Sequence, residues 1–376
     1  MTSKRVGVIG GGQLAWMIAA EAPNLNIELI VQTPNQNDPA VCRSHNVVYG
    51  EVDDPTATEQ LARMCDVVTF ENEFVNLKEL QKLVNQGVCF RPSLDSLTPL
   101  LDKYEQRNYL QSIDVPVPKF SLDLTVKQIK CHYGFPVVLK ARRHGYDGQG
   151  TFIVKDIQAL ESLAKIVPTN ELLTEEFIPF ERELGIIAAR NLSGDIAVYP
   201  VTETYQKNQV CHWTITPADV GEEVAAEVEA IAHKILAQLE VIGVLGIEFF
   251  LTQDHRVLVN EIAPRTHNSG HYTLDGCETS QFAMQLQAVT GMPLGSTELK
   301  SAGALMVNLL GFAESASDYQ EKRERLAEIP RSFVHWYGKT SRPGRKLGHV
   351  TVILEEEELA RAKSIISQIE SIWYEN

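Results

Sequence analysis

Residues 1–100 alternate short apolar runs with amphipathic stretches, and no other feature limits the fold so strongly. The spacing predicts strands at 5–9, 27–31, 47–49, 66–70 and 88–90, with a helix at 14–22 after the first. DDPTATEQLARM (53–64) opens another helix, with Asp54 or Thr56 as its cap. Strand-then-helix units of this kind build a parallel sheet covered by helices on both faces. The expectation is an N-terminal α/β, Rossmann-like domain over residues 1–100.

Beyond residue 100 the pattern changes. A helix is expected at 99–112, and the prolines of VPVPK (115–119) hold the next stretch extended. Strands at 136–141, 151–155 and 171–177, with a helix at 156–165, make a small α+β unit. Residues 101–182 form the second expected domain and residues 183–376 the third. The third has strands at 184–189, 196–201, 302–310 and 350–353, a hairpin of 246–251 with 257–262, and helices at 221–239, 280–289 and 355–372.

Composition removes several function classes. A net charge of −15 repels nucleic acid. The apolar run GVLGIEFFL (243–251) is interrupted by Glu248 and is too short to span a membrane. Cys42, Cys65, Cys89, Cys131, Cys211 and Cys277 make no CxxC and no zinc-ligand spacing, as expected of free thiols in a reducing compartment. The N-terminus enters a strand directly, without a signal-peptide layout. A cytoplasmic protein is expected, with no membrane or nucleic-acid partner.

Five segments could carry chemistry. Gly10-Gly11-Gly12-Gln13-Leu14-Ala15 fits G-x-G-x-x-G/A at a strand-to-helix turn. Such a turn either presents helix amides to a phosphate or only packs helix on strand, and both readings stay open. A dinucleotide site needs an acid about twenty residues on; the second strand ends Val31-Gln32-Thr33 instead. Lys140 closes an apolar strand and HGYDGQG (144–150) follows. A glycine-rich loop can donate amides to a polyphosphate that the lysine also reaches, although a solvated hairpin is the plainer alternative.

Glu248 interrupts an apolar strand, and Glu261 ends its partner strand beside Asn260. Paired carboxylates suit Mg²⁺, leaving positions open for phosphate oxygens; structural salt bridges are the alternative. PRTHNSGH (264–271) follows at once with Arg265, His267, Asn268, Ser269 and His271. Arginine suits planar anions such as bicarbonate. HWYGKTSRPGRKLGH (335–349) gathers Lys339, Arg342, Arg345 and Lys346 around a Pro-Gly turn. In an acidic protein such a loop points to a small anionic group such as a sugar phosphate.

GGGQL (10–14), TFENE (69–73), KARRHGYDGQGT (140–151), EEFIPFERE (175–183), NEIAPRTHNSGH (260–271) and RPGRKLGH (342–349) together resemble the ATP-grasp superfamily over nearly the whole chain. Within it they are most similar to the 5-(carboxyamino)imidazole ribonucleotide synthases of purine biosynthesis, and the pairing of PRTHNSGH with RPGRKLGH is the most specific part. The resemblance implies a three-domain ATP-grasp fold. It also implies a homodimeric ligase that uses ATP, Mg²⁺ and bicarbonate to carboxylate 5-aminoimidazole ribonucleotide through carboxyphosphate.

By the same resemblance Lys103 and Lys140 contact nucleotide phosphates, and Gly145, Tyr146, Asp147, Gly148, Gln149, Gly150 and Thr151 form a phosphate lid. Glu175, Glu176, Phe177 and Ile178 form the adenine hinge, and Glu183 binds ribose hydroxyls. Glu248 and Glu261 hold magnesium, with Asn260 beside them. Tyr146, Arg265, His267 and Asn268 surround the bicarbonate-derived group and the imidazole ribonucleotide. Lys339, Arg345 and Lys346 bind the 5′-phosphate of that ribonucleotide, and Gln13 and Glu73 complete its pocket.

The chain departs from the family pattern in three places. Ala15-Trp16 replace Gly-Arg after GQL, Asn72 stands where an apolar residue is usual, and a nucleotide contact often made by histidine falls to Gln206. The rivals are an ATP-grasp ligase for another amine, which has no need of the basic C-terminal loop, a nicotinamide dehydrogenase resting on GGGQLA alone, and a nucleotide sensor that binds ATP without releasing phosphate.

Overall fold

The computed structural model describes residues 3–122, 124–143, 150–167 and 171–375. Strands β1 (Lys4–Ile9), β2 (Ile27–Thr33), β3 (Asn46–Tyr49) and β4 (Val67–Phe70) form a parallel sheet in the order β3-β2-β1-β4. Val6, Val8, Leu29 and Val31 pack on Ala15, Met17 and Ile18 of helix Gln13–Glu21. Phe282 and Leu286, from helix Gln281–Thr290 far along the chain, share that layer. On the other face Ile9, Ile30 and Val68 meet Leu61, Leu80 and Leu83 of helices Pro55–Met64 and Leu77–Val84. Burial on both faces is why these strands read as apolar runs rather than alternating ones.

Asp54 caps helix Pro55–Met64, accepting from the Thr56 amide at 2.8 Å, so Asp54 and not Thr56 has that role. Residues 88–90 form no full strand; a single parallel bridge joins Phe90 to Val68. Gly87 at φ +96° turns the chain just before that bridge, and Pro92 offers no amide just after it.

The second sheet is antiparallel, in the order β5 (Phe120–Ser121), β8 (Leu172–Glu176), β6 (Val137–Ala141), β7 (Thr151–Val154). Ile129 and Leu160, on helices Val126–His132 and Ile157–Ala164, close its core against Val137 and Leu139.

The third sheet holds β9 (Phe180–Arg190), β10 (Ile196–Val198), β11 (Thr202–Lys207), β12 (Val210–Thr216), β13 (Gly243–Thr252), β14 (Val257–Ala263), β15 (Gly303–Leu310), β16 (Ser332–Trp336) and β17 (Lys346–Leu354). Their order is β14-β13-β9-β11-β12-β15-β17-β16, with β10 also on β9. Helix Glu222–Leu239 covers one end through Val228, Ile235 and Leu236. Strands β11, β12 and β16 were not expected. The strand expected at 196–201 stops at Val198, and β11 begins four residues later.

The single helix expected at 355–372 is two, Glu356–Leu359 and Ala362–Tyr374. The restart lets Ala362, Ile366, Ile369 and Trp373 share one buried face against β15 and β17. No helix among the described residues is long and apolar enough to cross a membrane.

Candidate active site

Glu248 and Glu261 are direct partners across the β13–β14 hairpin, and the register shifts immediately after Glu248. Ile247, Phe249, Val259 and Ile262 hold both strands to the core, which fixes the two glutamates as neighbours across the hairpin. Burial pushes the Glu248 carboxyl up to about 7, and the facing Glu261 charge adds to the effect. Burial opposes the charge on Glu261 as well, but Lys103 at 2.5 Å outweighs it and keeps this carboxyl below its usual range. Gln206 Nε2 and Asn260 Nδ2 each approach Glu248 at 3.4 Å. Glu183, on the neighbouring strand β9, is raised to about 8 by burial and then by Glu248. No cluster of three or more His, Cys, Asp or Glu suited to a metal occurs among the described residues.

A buried ion network backs this pair. Glu175 receives Arg107 Nε at 2.6 Å and Lys140 Nζ at 2.8 Å. Lys140 also donates to Asn260 Oδ1 at 3.0 Å, and Arg107 to the Asn260 carbonyl at 2.5 Å. Burial disfavours the Glu175 carboxylate, but Arg107 and Lys140 overcome this and hold it at about 2. The Glu175 side chain is thus committed to cations, which leaves only its backbone for any adenine contact. Sequence reasoning missed Arg107, although Lys103 and Arg107 stand four apart on helix Lys103–Ser112 and so share a face.

After β14 the loop with Arg265 and His267 turns back over the hairpin. Arg265 pairs with Glu73 at 2.7 Å, joining the loop to the exit of β4. His267 Nε2 lies 3.6 Å from Glu248, and its Nδ1 meets Ser269 Oγ at 2.9 Å. Gln281 accepts from the His267 amide at 2.9 Å and donates to its carbonyl at 2.7 Å. Gly246 leaves room for this histidine, since a methyl group there would collide with the imidazole. Asn268 is turned inward, where its amide and that of Asn308 exchange hydrogen bonds at 3.1 and 2.7 Å.

Of the glycine-rich segment, Gly145, Tyr146, Asp147, Gly148 and Gln149 lie outside the described residues. Its ends are placed: the Gly150 carbonyl accepts from Ala141, and Thr151 pairs with Lys140 across β6 and β7. Arg142 and Arg143 both reach the buried Asp102, at 2.8 and 3.3 Å. Glu176 accepts from the Lys119 amide at 2.7 Å, and the backbone runs on through Phe177 to Ile178, which is buried. A cleft of about 530 Å³ opens beside the hairpin, lined by Glu73, Lys103, Arg142, Arg143, Glu261 and Pro264 among others. A cleft of about 630 Å³ beside Trp213 and Lys363 contains none of the candidate side chains.

The basic C-terminal loop reaches the first sheet. Lys339 Nζ donates to Gln13 Oε1, and Tyr337 lies edge-on to Trp16 at 6.1 Å. Trp16, a departure from the family pattern, also carries Arg43 4.2 Å above its ring. Burial draws the Lys339 ammonium down to about 8, with Glu71 opposing the shift and Arg345 and Lys346 adding to it. Arg345 Nη1 binds the Thr340 carbonyl at 3.0 Å, and Lys346 begins β17.

At the turn Gly10-Gly11-Gly12 a side chain meets the start of the helix. Glu71, which sequence reasoning passed over for Glu73, accepts from the Gly12 amide at 2.7 Å and the Leu14 amide at 3.1 Å. A methyl group at Gly10 or Gly12 would strike this carboxylate. Two of the amides at the helix start are thereby bonded to a carboxylate. Asn72 accepts from the Phe74 amide at 3.0 Å, a local turn between the two acids.

Comparison with known proteins sharpens the chemistry. The ribonucleotide synthetase preATP-grasp domain family matches residues 3–98, the ATP-grasp domain family residues 108–282, and the phosphoribosylaminoimidazole carboxylase C-terminal domain family residues 304–363. The chain is 51% identical to an N5-carboxyaminoimidazole ribonucleotide synthase of Synechocystis sp., over 98% of each chain. It is similar to the crystal structure of the N5-carboxyaminoimidazole ribonucleotide synthetase of Thermotoga maritima, with 37% identity and a TM-score of 0.87 over 98% of each chain. An Aspergillus clavatus N5-carboxyaminoimidazole synthase, solved with ADP and 5-aminoimidazole ribonucleotide, matches at 30% identity and a TM-score of 0.88, again over 98% of each chain.

Proposed function

The chain belongs to the N5-carboxyaminoimidazole ribonucleotide synthase family of ATP-grasp ligases, and from that premise we propose how its own residues divide the carboxylation of 5-aminoimidazole ribonucleotide. The observation that carries the reading is the Glu248/Glu261 pair, flanked by Lys103 and Lys140 and tied through Arg265 and Glu73 to the first sheet. In this reading residues 1–100, 101–182 and 183–376 are the three functional domains.

The reaction has two steps. A bicarbonate oxygen attacks the γ-phosphorus of ATP, the bond to ADP breaks, and carboxyphosphate forms. The amine of 5-aminoimidazole ribonucleotide then takes the carboxyl group, and phosphate and a proton leave. Lys103 and Lys140 supply positive charge to the transferring phosphoryl group. The backbone from Glu175 to Ile178 faces adenine, and Glu183 takes the ribose. Arg265 and His267 hold the bicarbonate-derived group, and Gln13, Glu73, Lys339, Arg345 and Lys346 hold the ribonucleotide. Asn268, next to His267 in the same loop, is fixed by its pair with Asn308.

The donor set fits magnesium. Two facing carboxylates, one raised by burial and then by the other's charge, offer hard oxygen ligands and gain from a cation between them. Glu248 and Glu261 would hold the ion, which when bound neutralises charge on the phosphates. The same family reading extends to a homodimer working in the cytoplasm.

The test is ADP release by purified protein with Mg-ATP, with and without bicarbonate and 5-aminoimidazole ribonucleotide. Strong stimulation that needs both supports the reading. Protein that binds ATP yet shows no stimulation by the ribonucleotide removes it.

A further inference from the structure

Glu71 has no part in the residue roles above, yet the residue is only 8% exposed and stands at the exit of β4, beside the end of β1. Both oxygens accept from amides at the start of helix Gln13–Glu21, at Gly12 and Leu14. Between those two amides sits Gln13, whose side chain receives Lys339. Two residues after Glu71, Glu73 grips Arg265. The exit of β4 therefore carries two acids, one holding the turn that presents Gln13 and the other holding the loop beside the carboxylate hairpin.

We propose that Glu71 is a positioning residue for the ribonucleotide pocket: by clamping the glycine-rich turn it aims Gln13 at Lys339, where an anionic substrate group binds. The glycines at 10 and 12 serve this carboxylate, because any side chain there would displace it. Lys339 sits among opposed influences. Burial, Arg345 and Lys346 weaken its charge, while Glu71 and Asp38 support it. Burial raises the Glu71 carboxyl as well, opposed by the Gly12 amide, Lys339 and the Ala15 and Leu14 amides, so each of the two charges supports the other, and removing Glu71 shifts Lys339 toward the neutral amine, which holds a phosphate less tightly. The inference rests on the placement of the ribonucleotide beside Lys339.

The test is steady-state kinetics across pH, varying 5-aminoimidazole ribonucleotide and ATP separately, for Glu71→Gln, Lys339→Arg and Lys339→Ala. In Glu71→Gln, kcat/KM for the ribonucleotide should fall roughly fivefold near pH 8, approaching about tenfold above it, as its alkaline limb moves down by about one pH unit. KM for ATP should stay within about twofold, as expected of a group that binds only the other substrate. Lys339→Arg should lose the alkaline limb altogether, because a guanidinium does not titrate there. An unmoved limb in Glu71→Gln, or equal losses toward both substrates, overturns the proposal. If Glu71→Gln does not fold, Gly12→Ala displaces the carboxylate instead: a loss confined to the ribonucleotide supports the proposal, and no loss or equal losses toward both substrates overturn it. Lys339→Ala separates the levels. Unchanged dependence on the ribonucleotide in that variant removes the pocket assignment itself, whereas a loss there with none in Glu71→Gln removes only the role of Glu71.

Discussion

Glu73 and Arg265, 192 residues apart, meet in a two-point ion pair, Nε to Oε2 at 2.7 Å and Nη2 to Oε1 at 3.2 Å. The pair ties the rim of the parallel sheet to the loop that follows the carboxylate hairpin. Both side chains are about four-fifths covered, at 18% and 20% exposure, so the contact is screened less than a surface bridge. Lysine cannot reproduce the fork. Arg265→Lys should lower kcat/KM for the ribonucleotide by about tenfold, or ~1.4 kcal/mol, with little change in melting temperature. Kinetics and a thermal melt on one preparation check this; a large drop in melting temperature with normal kinetics would make the pair structural only.

The facing carboxylates make opposite demands on stability and function. Glu248→Gln or Glu261→Gln should reduce turnover by roughly 10²-fold or more and shift the magnesium titration upward. In metal-free protein Glu248→Gln should raise the melting temperature, because it removes a like-charge repulsion in a buried setting. Chelation should abolish activity in the parent enzyme and added magnesium should restore it. Full activity in chelator would refute the metal assignment.

Glu175 ties the second sheet to helix Lys103–Ser112 and to β14. Removing one member of this buried network should cost about 3–5 kcal/mol, since Arg107 and Lys140 then lose their counter-charge. The sign with pH follows from the carboxyl being lowered from 4.5 to about 2. Its contribution is fully present above about pH 4.5 and is lost as pH falls through 2. The melting temperatures of the parent and Glu175→Gln should therefore converge between those values. Parallel curves across that range would show that the carboxylate is not what the network depends on.

His267 lies beside Glu248 and is held by Gln281 through its backbone, so its ring can be removed with the loop still anchored. His267→Ala should lower kcat by roughly 10²-fold while leaving ATP affinity within about threefold, the signature of a group acting in the chemical step. ATP binding by calorimetry beside turnover checks this; equal losses would make His267 a nucleotide-binding residue instead.

Much of this was legible in the chain. The parallel sheet, the hairpin and the placement of Glu248 opposite Glu261 followed from local periodicity, because a hairpin forces its partners together. The family motifs likewise pointed to the ligase and to ATP. Other features were not legible. Arg107, Asn308 and Gln281 act through contacts made across the fold, and Glu71 was hidden beside the more familiar Glu73. Strands β11, β12 and β16 were missed because they mix polar and apolar residues without clean alternation.

The glycine-rich turn at residues 10–12 shows where the division lies. By itself the sequence determined that a tight turn joins strand to helix there, because glycine takes the left-handed backbone of Gly10, at φ +116°, without strain. It left open what the helix amides bind. The tertiary structure supplied a partner for two of them: β4 lies beside β1 in the sheet, and this brings Glu71 onto the Gly12 and Leu14 amides. Local backbone preference acts between neighbours in sequence, whereas the partner of a buried charge is settled only when distant strands pair and water is excluded between them.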